Sequence, residues 1–74
     1  MKKIIILTGT YERFREFLRE ANIPVSNKIF VYALDEQHIM GIEAYSVIVL
    51  DGFWDIGFEK SHYLYEIALS RVRD

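Results

Sequence analysis

The chain has 74 residues, 51% of them apolar, with no cysteine and nine basic against eleven acidic side chains. That length allows one domain, residues 1–74, whose core is marginal unless very tight packing, a ligand or self-association supports it, and the missing cysteines exclude disulfides and a cysteine zinc site. A net charge of −2 with both signs interspersed argues against sequence-blind binding to duplex nucleic acid and is too mild for a DNA mimic.

Lys2 and Lys3 precede the apolar run Ile4, Ile5, Ile6 and Leu7. Four apolar residues are too few for a secretory core or a membrane span, so the expectation is a soluble, cytoplasmic protein with no membrane association. Residues 3–8 form a continuous β-branched run, as suits a strand buried on both faces. Residues 10–21 then read as a helix. Thr10 is its candidate N-cap, and Phe14, Phe17, Leu18 and Ala21 make one apolar stripe. Asn22, Ile23 and Pro24 stop it.

Residues 28–34 read as a second strand. A short helix is expected over 35–40, capped by Asp35 and ended by Gly41 in a left-handed conformation. Residues 45–50 form a third continuous apolar strand, 51–55 a turn, and 59–73 a final helix. Buried strands separated by helices imply a parallel sheet. The expected fold class is therefore α/β: a three-stranded parallel sheet with flanking helices, β-α-β-(short α)-β-α, a Rossmann- or flavodoxin-like half domain. In such sheets ligands bind at the carboxyl ends of the strands. Three segments qualify: Thr8 to Tyr11, Leu34 to Glu36, and Asp51 to Asp55.

The run Thr8-Gly9-Thr10-Tyr11 joins a strand to a helix N-terminus, where backbone N–H groups and the helix dipole can receive an anion. Arg13, one turn in, would add charge. The competing reading makes Gly9 a plain turn residue, since neither Gly-x-Gly-x-x-Gly nor a Walker lysine is present. Asp51-Gly52 resembles the end of a receiver-domain third strand but lacks its partner carboxylates, and reads more simply as a turn. Trp54 and Tyr11 could stack on a base, while the alternative for Phe53 and Trp54 is a hydrophobic plug. No metal site is expected, because neither His38 nor His62 gathers three ligands. No serine lies in a nucleophile motif, and an enzyme ranks behind a binding protein.

In the last helix Tyr63, Leu64, Tyr65, Ile67, Ala68, Leu69 and Val72 leave only a narrow polar stripe. One sheet face cannot bury that circumference, so either this helix packs between the sheet and the first helix or it meets another subunit; on the second, favoured reading Tyr63, Tyr65, Ile67, Leu69 and Val72 are the expected interface of a homo-oligomer. Arg71 would snorkel or reach an anion across that interface.

The opening Lys-Ile-Ile-Ile-Leu-Thr-Gly-Thr-Tyr-Glu-Arg-Phe-Arg-Glu-Phe, with the later Val-Ile-Val-Leu-Asp-Gly-Phe-Trp, resembles short uncharacterised bacteriophage proteins with a mini Rossmann-like fold. The resemblance implies a phage accessory product acting in the host cytoplasm, of the kind that inhibits host defence by sequestering nucleotide second messengers. The expected function is a non-catalytic oligomer binding a small anionic ligand, such as a signalling nucleotide. Its ligand residues are Thr8, Gly9, Thr10, Tyr11, Arg13, Asp51, Trp54 and Arg71, with no cofactor and no metal. The alternative is a protein–protein module that inhibits a host protein through the aromatic last helix and the Phe53-Trp54 loop.

Overall fold

The computed structural model describes residues 2–72. Its elements, in chain order, are β1 (Lys3–Leu7), α1 (Tyr11–Glu20), β2 (Phe30–Ala33), a 3-10 turn α2 (Glu36–Ile39), β3 (Ala44–Val49), a second 3-10 turn α3 (Phe53–Ile56) and α4 (Phe58–Ser70). All strands are parallel and ordered β2-β1-β3, with Ile5 opposite both Val31 and Val47. The fold is the expected α/β half domain with its three-stranded parallel sheet.

The central place of β1 follows from its composition. Ile5, Ile6 and Leu7 are completely buried, and only a strand with neighbours on both edges and helices on both faces can bury such a run. Side chains alternate across it. Ile5 and Leu7 join Ala33, Ile39, Phe53, Leu64 and Ala68 in the core under α4, while Ile6 joins Phe14, Leu18 and Leu50 under α1. The helices therefore sandwich the sheet, one long helix on each face.

Local capping matches the sequence pattern. The Thr10 hydroxyl accepts the Arg13 N–H at 3.1 Å, and Asn22 ends α1 at a φ of +57°. The Asp35 side chain accepts from the Gln37 N–H at 2.9 Å, while His38 Nδ1 accepts the Leu34 and Asp35 N–H groups at 3.0 and 3.3 Å. Gly41 adopts a φ of +75°, as expected of the residue closing this turn.

Several boundaries differ from the sequence reading, among them those of the last helix, which starts at Phe58 and stops at Ser70 with Arg71 as its cap. The second strand is shorter than residues 28–34, because Lys28 and Ile29 precede the ladder and the segment after Ala33 turns into the α2 cap. The third strand begins one residue earlier, at Ala44, and Tyr45 is an extra residue against Lys3 and Ile4. Residues 53–56 are a 3-10 turn that buries Phe53 completely, not simply a loop. Arg73, the expected last residue of the final helix, lies outside the described residues.

Phe53 and Trp54 are neighbours with opposite fates, one wholly buried and the other 46% exposed. Phe53→Ala is expected to cost about 3–5 kcal/mol, a large share of the total stability of so small a domain. Trp54→Ala, which removes partly exposed ring contacts, is expected to cost about 1 kcal/mol. Urea denaturation of the two variants checks the contrast.

Candidate functional site

Strand order reverses direction between β1 and β3, since the chain leaves β1 toward β2 on one side and returns to β3 on the other. Beyond the carboxyl ends of these two strands lies a cleft of about 320 Å³, lined by Gly9, Thr10, Arg13, Asp51, Gly52, Asp55 and Ile56. This is where open α/β sheets hold ligands. Two segments singled out in the sequence, the turn after β1 and the turn after β3, form its walls.

The walls meet on glycine. A Cβ on Gly9 would stand 2.8 Å from the Gly52 carbonyl oxygen, a backbone atom that cannot swing aside. Gly52 itself has a φ of +88°, a left-handed conformation that favours glycine. Gly9 is thus required by the close approach of the second turn, and its presence does not by itself point to an anion.

Thr8 is completely buried, and its hydroxyl donates to the Thr10 carbonyl at 2.9 Å, which braces the turn. With the Arg13 N–H taken by the cap, the Tyr11 and Glu12 N–H groups remain as the orphan donors of the first turn of α1. Tyr11 leans toward the β2 side, edge-on to Tyr32 with ring centroids 4.9 Å apart.

Arg13 is the cation of the cleft. Its Nε and Nη2 both lie 2.8 Å from Asp51 Oδ1, and its Nη1 lies 3.5 Å from Glu20 and 3.8 Å from Glu16. The hydrogen bond from Arg13 is the main reason the Asp51 carboxyl titrates below the usual carboxylate range. The same bond, against a smaller opposing effect of burial, raises the Arg13 guanidinium above its ordinary value. Arg13 and Asp51 come from residues 38 apart in sequence, so the pair fastens α1 to the turn after β3. Asp51 remains 81% exposed and can turn into solvent if another anion takes its place on the guanidinium.

The other expected site residues divide. Trp54 follows the β3 turn but folds toward α4, with its ring 5.4 Å from Tyr65 and 5.5 Å from His62. Arg71 lies at the far end of the molecule, its carbonyl accepting the Ala44 N–H at the start of β3. Its Nε is buried there without a hydrogen-bond partner. Gly9, Thr10, Arg13 and Asp51 come together; Arg71 does not join them. Asp55, which bounds the third candidate segment but is not among the expected ligand residues, lines the cleft because the 3-10 turn brings it back toward Gly52, whose carbonyl accepts its N–H at 3.2 Å.

The expected interface residues also divide. Tyr65, Ile67 and Val72 pack partly against the core under α4, whereas Tyr63 and Leu69 are exposed. The Tyr63 hydroxyl donates to Glu36 at 3.0 Å, which raises its pKa above the ordinary tyrosine value. Among the described residues, no three His, Asp or Glu side chains converge as a metal ion needs. No helix is long and apolar enough to cross a membrane.

Two outcomes test the geometry. Gly9→Ala is expected to destabilise the fold by about 1–3 kcal/mol, read by urea melts, because the backbone of Gly52 must move. Asp51 has a depressed folded-state pKa, so the pair's contribution is present above the unfolded carboxyl pKa and lost as pH falls through the lower folded value. NMR titration is expected to show that depression in the native protein and its removal in Arg13→Gln. No family model, curated protein or solved structure matches the chain.

Proposed function

We propose that this chain is a non-catalytic binder of a small anionic ligand, seated in the cleft between the Gly9 and Gly52 turns. The observation that supports it is the coincidence of a cleft at the strand-order reversal with an arginine reaching it from the first turn of α1. A phosphate-sized anion takes the place of the Asp51 carboxylate on Arg13 and accepts from the free N–H groups of the first helical turn. Asp51 and Asp55 set a cost, because with both ionised the cleft is not net positive, so binding requires Asp51 to yield. Tyr11, which leans toward β2, and Trp54, which folds toward α4, lie outside the cleft lining and would have to turn toward it to stack on a nucleotide base. The narrower reading, a phage-type cytoplasmic oligomer that sequesters a host-defence signalling nucleotide, rests on the resemblance described above.

A second reading, a module that docks on a host protein through the last helix and the Phe53-Trp54 loop, is favoured by one observation. Trp54, Phe58 and Leu69 leave apolar surface in solvent. Phe53 cannot take part, being completely buried.

Calorimetry with inorganic phosphate, ATP and a cyclic dinucleotide tests the first reading. Wild type is expected to bind at least one of them, and Asp51→Asn to bind it about tenfold more tightly, a difference of about 1.4 kcal/mol. Arg13→Gln is expected to lose binding. Trp54→Ala should weaken a nucleotide but leave phosphate unchanged. Absence of heat with every ligand, in both wild type and Asp51→Asn, overturns the proposal.

A further inference from the structure

The exit of β2 is closed by a side chain that can change its charge. After Ala33 the chain leaves the sheet, and the Leu34 and Asp35 N–H groups lie beyond the ladder to β1. Both turn instead to one atom, His38 Nδ1, at 3.0 and 3.3 Å. The Leu34 bond is partly buried, and a backbone donor in such a place needs its partner from the protein.

In a capping box the third helical position ordinarily holds Glu or Gln, whose side-chain oxygen reaches back to the N-cap N–H. Here the N-cap is Asp35 and the third position is His38. The difference in residue type matters. A Gln carbonyl accepts at every pH, whereas an imidazole accepts through one nitrogen and only while neutral; the imidazolium has two donors and no acceptor. Two N–H groups aimed at Nδ1 therefore fix the neutral ring as the tautomer with its hydrogen on Nε2. The His38 side chain is 33% exposed, so solvent protons reach it.

The groups around the ring decide where it goes when it gains a proton. Asp35 Oδ1 lies 3.9 Å from Nδ1 and accepts the Gln37 N–H at 2.9 Å. The Tyr32 ring of β2 is tilted against the imidazole with centroids 4.9 Å apart. From α4, the Tyr63 hydroxyl donates to Glu36, the first residue of α2, at 3.0 Å. With a proton on Nδ1, the ring would face the Leu34 and Asp35 N–H groups donor to donor, while the Asp35 carboxylate stands close by as an acceptor of opposite charge. Repulsion from the first and attraction to the second favour the same exchange of partners. Ile39, completely buried in the core under α4, holds the rest of the turn in place.

We propose that His38 is a proton-operated latch at the exit of β2. The neutral ring ties the Leu34 and Asp35 N–H groups to α2. A proton from solvent binds the Nδ1 lone pair, the ring becomes a donor and passes to the Asp35 carboxylate, and both N–H groups are released. The change is confined to the cap, with Ile39 as its fixed point. This latch does not rest on the ligand reading.

NMR of the whole chain between about pH 8 and about pH 5, a range that spans the ordinary imidazole titration, tests the proposal. At the upper end the ring is expected as the Nε2–H tautomer, with the Leu34 and Asp35 amides protected from exchange. As the ring titrates, both amide signals are expected to move with its midpoint, and their protection factors to fall at least about tenfold. His38→Gln keeps an acceptor at the capping position and removes the titrating group, so both amides are expected to stay protected across the range. His62→Gln, which removes the other histidine, is expected to leave the wild-type profile unchanged. An Nδ1–H tautomer at the upper end overturns the proposal. So do Leu34 and Asp35 amides that keep their protection through the ring titration, or a His38→Gln protein that repeats the wild-type profile. If that variant does not fold, the wild-type tautomer and the shared midpoint carry the decision.

Discussion

The backbone of Gly52 passes so close to Gly9 that no side chain fits between them, and much of the molecule depends on that contact. It holds the exits of β1 and β3 together at the one place where the strand order reverses. With the two turns in register, Arg13 reaches Asp51 across 38 residues of sequence, and the cleft between them acquires walls. The same turn delivers Phe53 into the core under α4, where it contacts the face of the sheet carrying Ile5 and Leu7. Packing and candidate chemistry therefore share one junction, so substitution at Gly9 perturbs the fold before it reports on any ligand. Arg13 and Asp51, on the surface side of the junction, are the positions where charge can be altered with little structural cost.

That junction also explains what the sequence could and could not reveal. The element order, the Thr10 and Asp35 caps and the Gly41 turn were legible because each depends on residues a few positions apart. The turns after β1 and β3 were legible as site candidates because parallel α/β sheets expose their carboxyl ends. Why Gly9 must be glycine was not legible, since the atom that excludes a side chain belongs to residue 52. From the sequence, Arg71 is expected to snorkel or to reach an anion across a subunit interface, and within one chain it stands apart from the cleft. A helix of 13 residues carries its end about 20 Å along its axis, and Arg71 accordingly emerges beside Ala44 at the opposite end of the sheet.

The apolar circumference of the last helix divides in a way that periodicity alone could not resolve. Ser61, Leu64 and Ala68 form its buried line, and the 3-10 turns on either side widen the area beneath it enough to take Tyr65 and Ile67 in part. Ser61 is tolerated there because its hydroxyl donates to the Phe58 carbonyl at 3.1 Å. What the core does not absorb is a flank, not a face. On the other side Tyr63 is tied to Glu36, which gives its polar end a partner.

The composition of β3 carries the last step. A continuous β-branched run suggests a strand covered on both faces and paired on both edges, as β1 is. Among the described residues β3 has one strand neighbour, β1, and Val72 bridges to Ala44 on its other side. The shortage that a chain of 74 residues faces in building a core shows as exposed apolar side chains at Tyr45, Phe58 and Leu69, and also at Val25 and Met40. Val47 and Val49 nevertheless pack in part against the core under α4, so the composition of β3 answers to the layers on its faces before it answers to its edges.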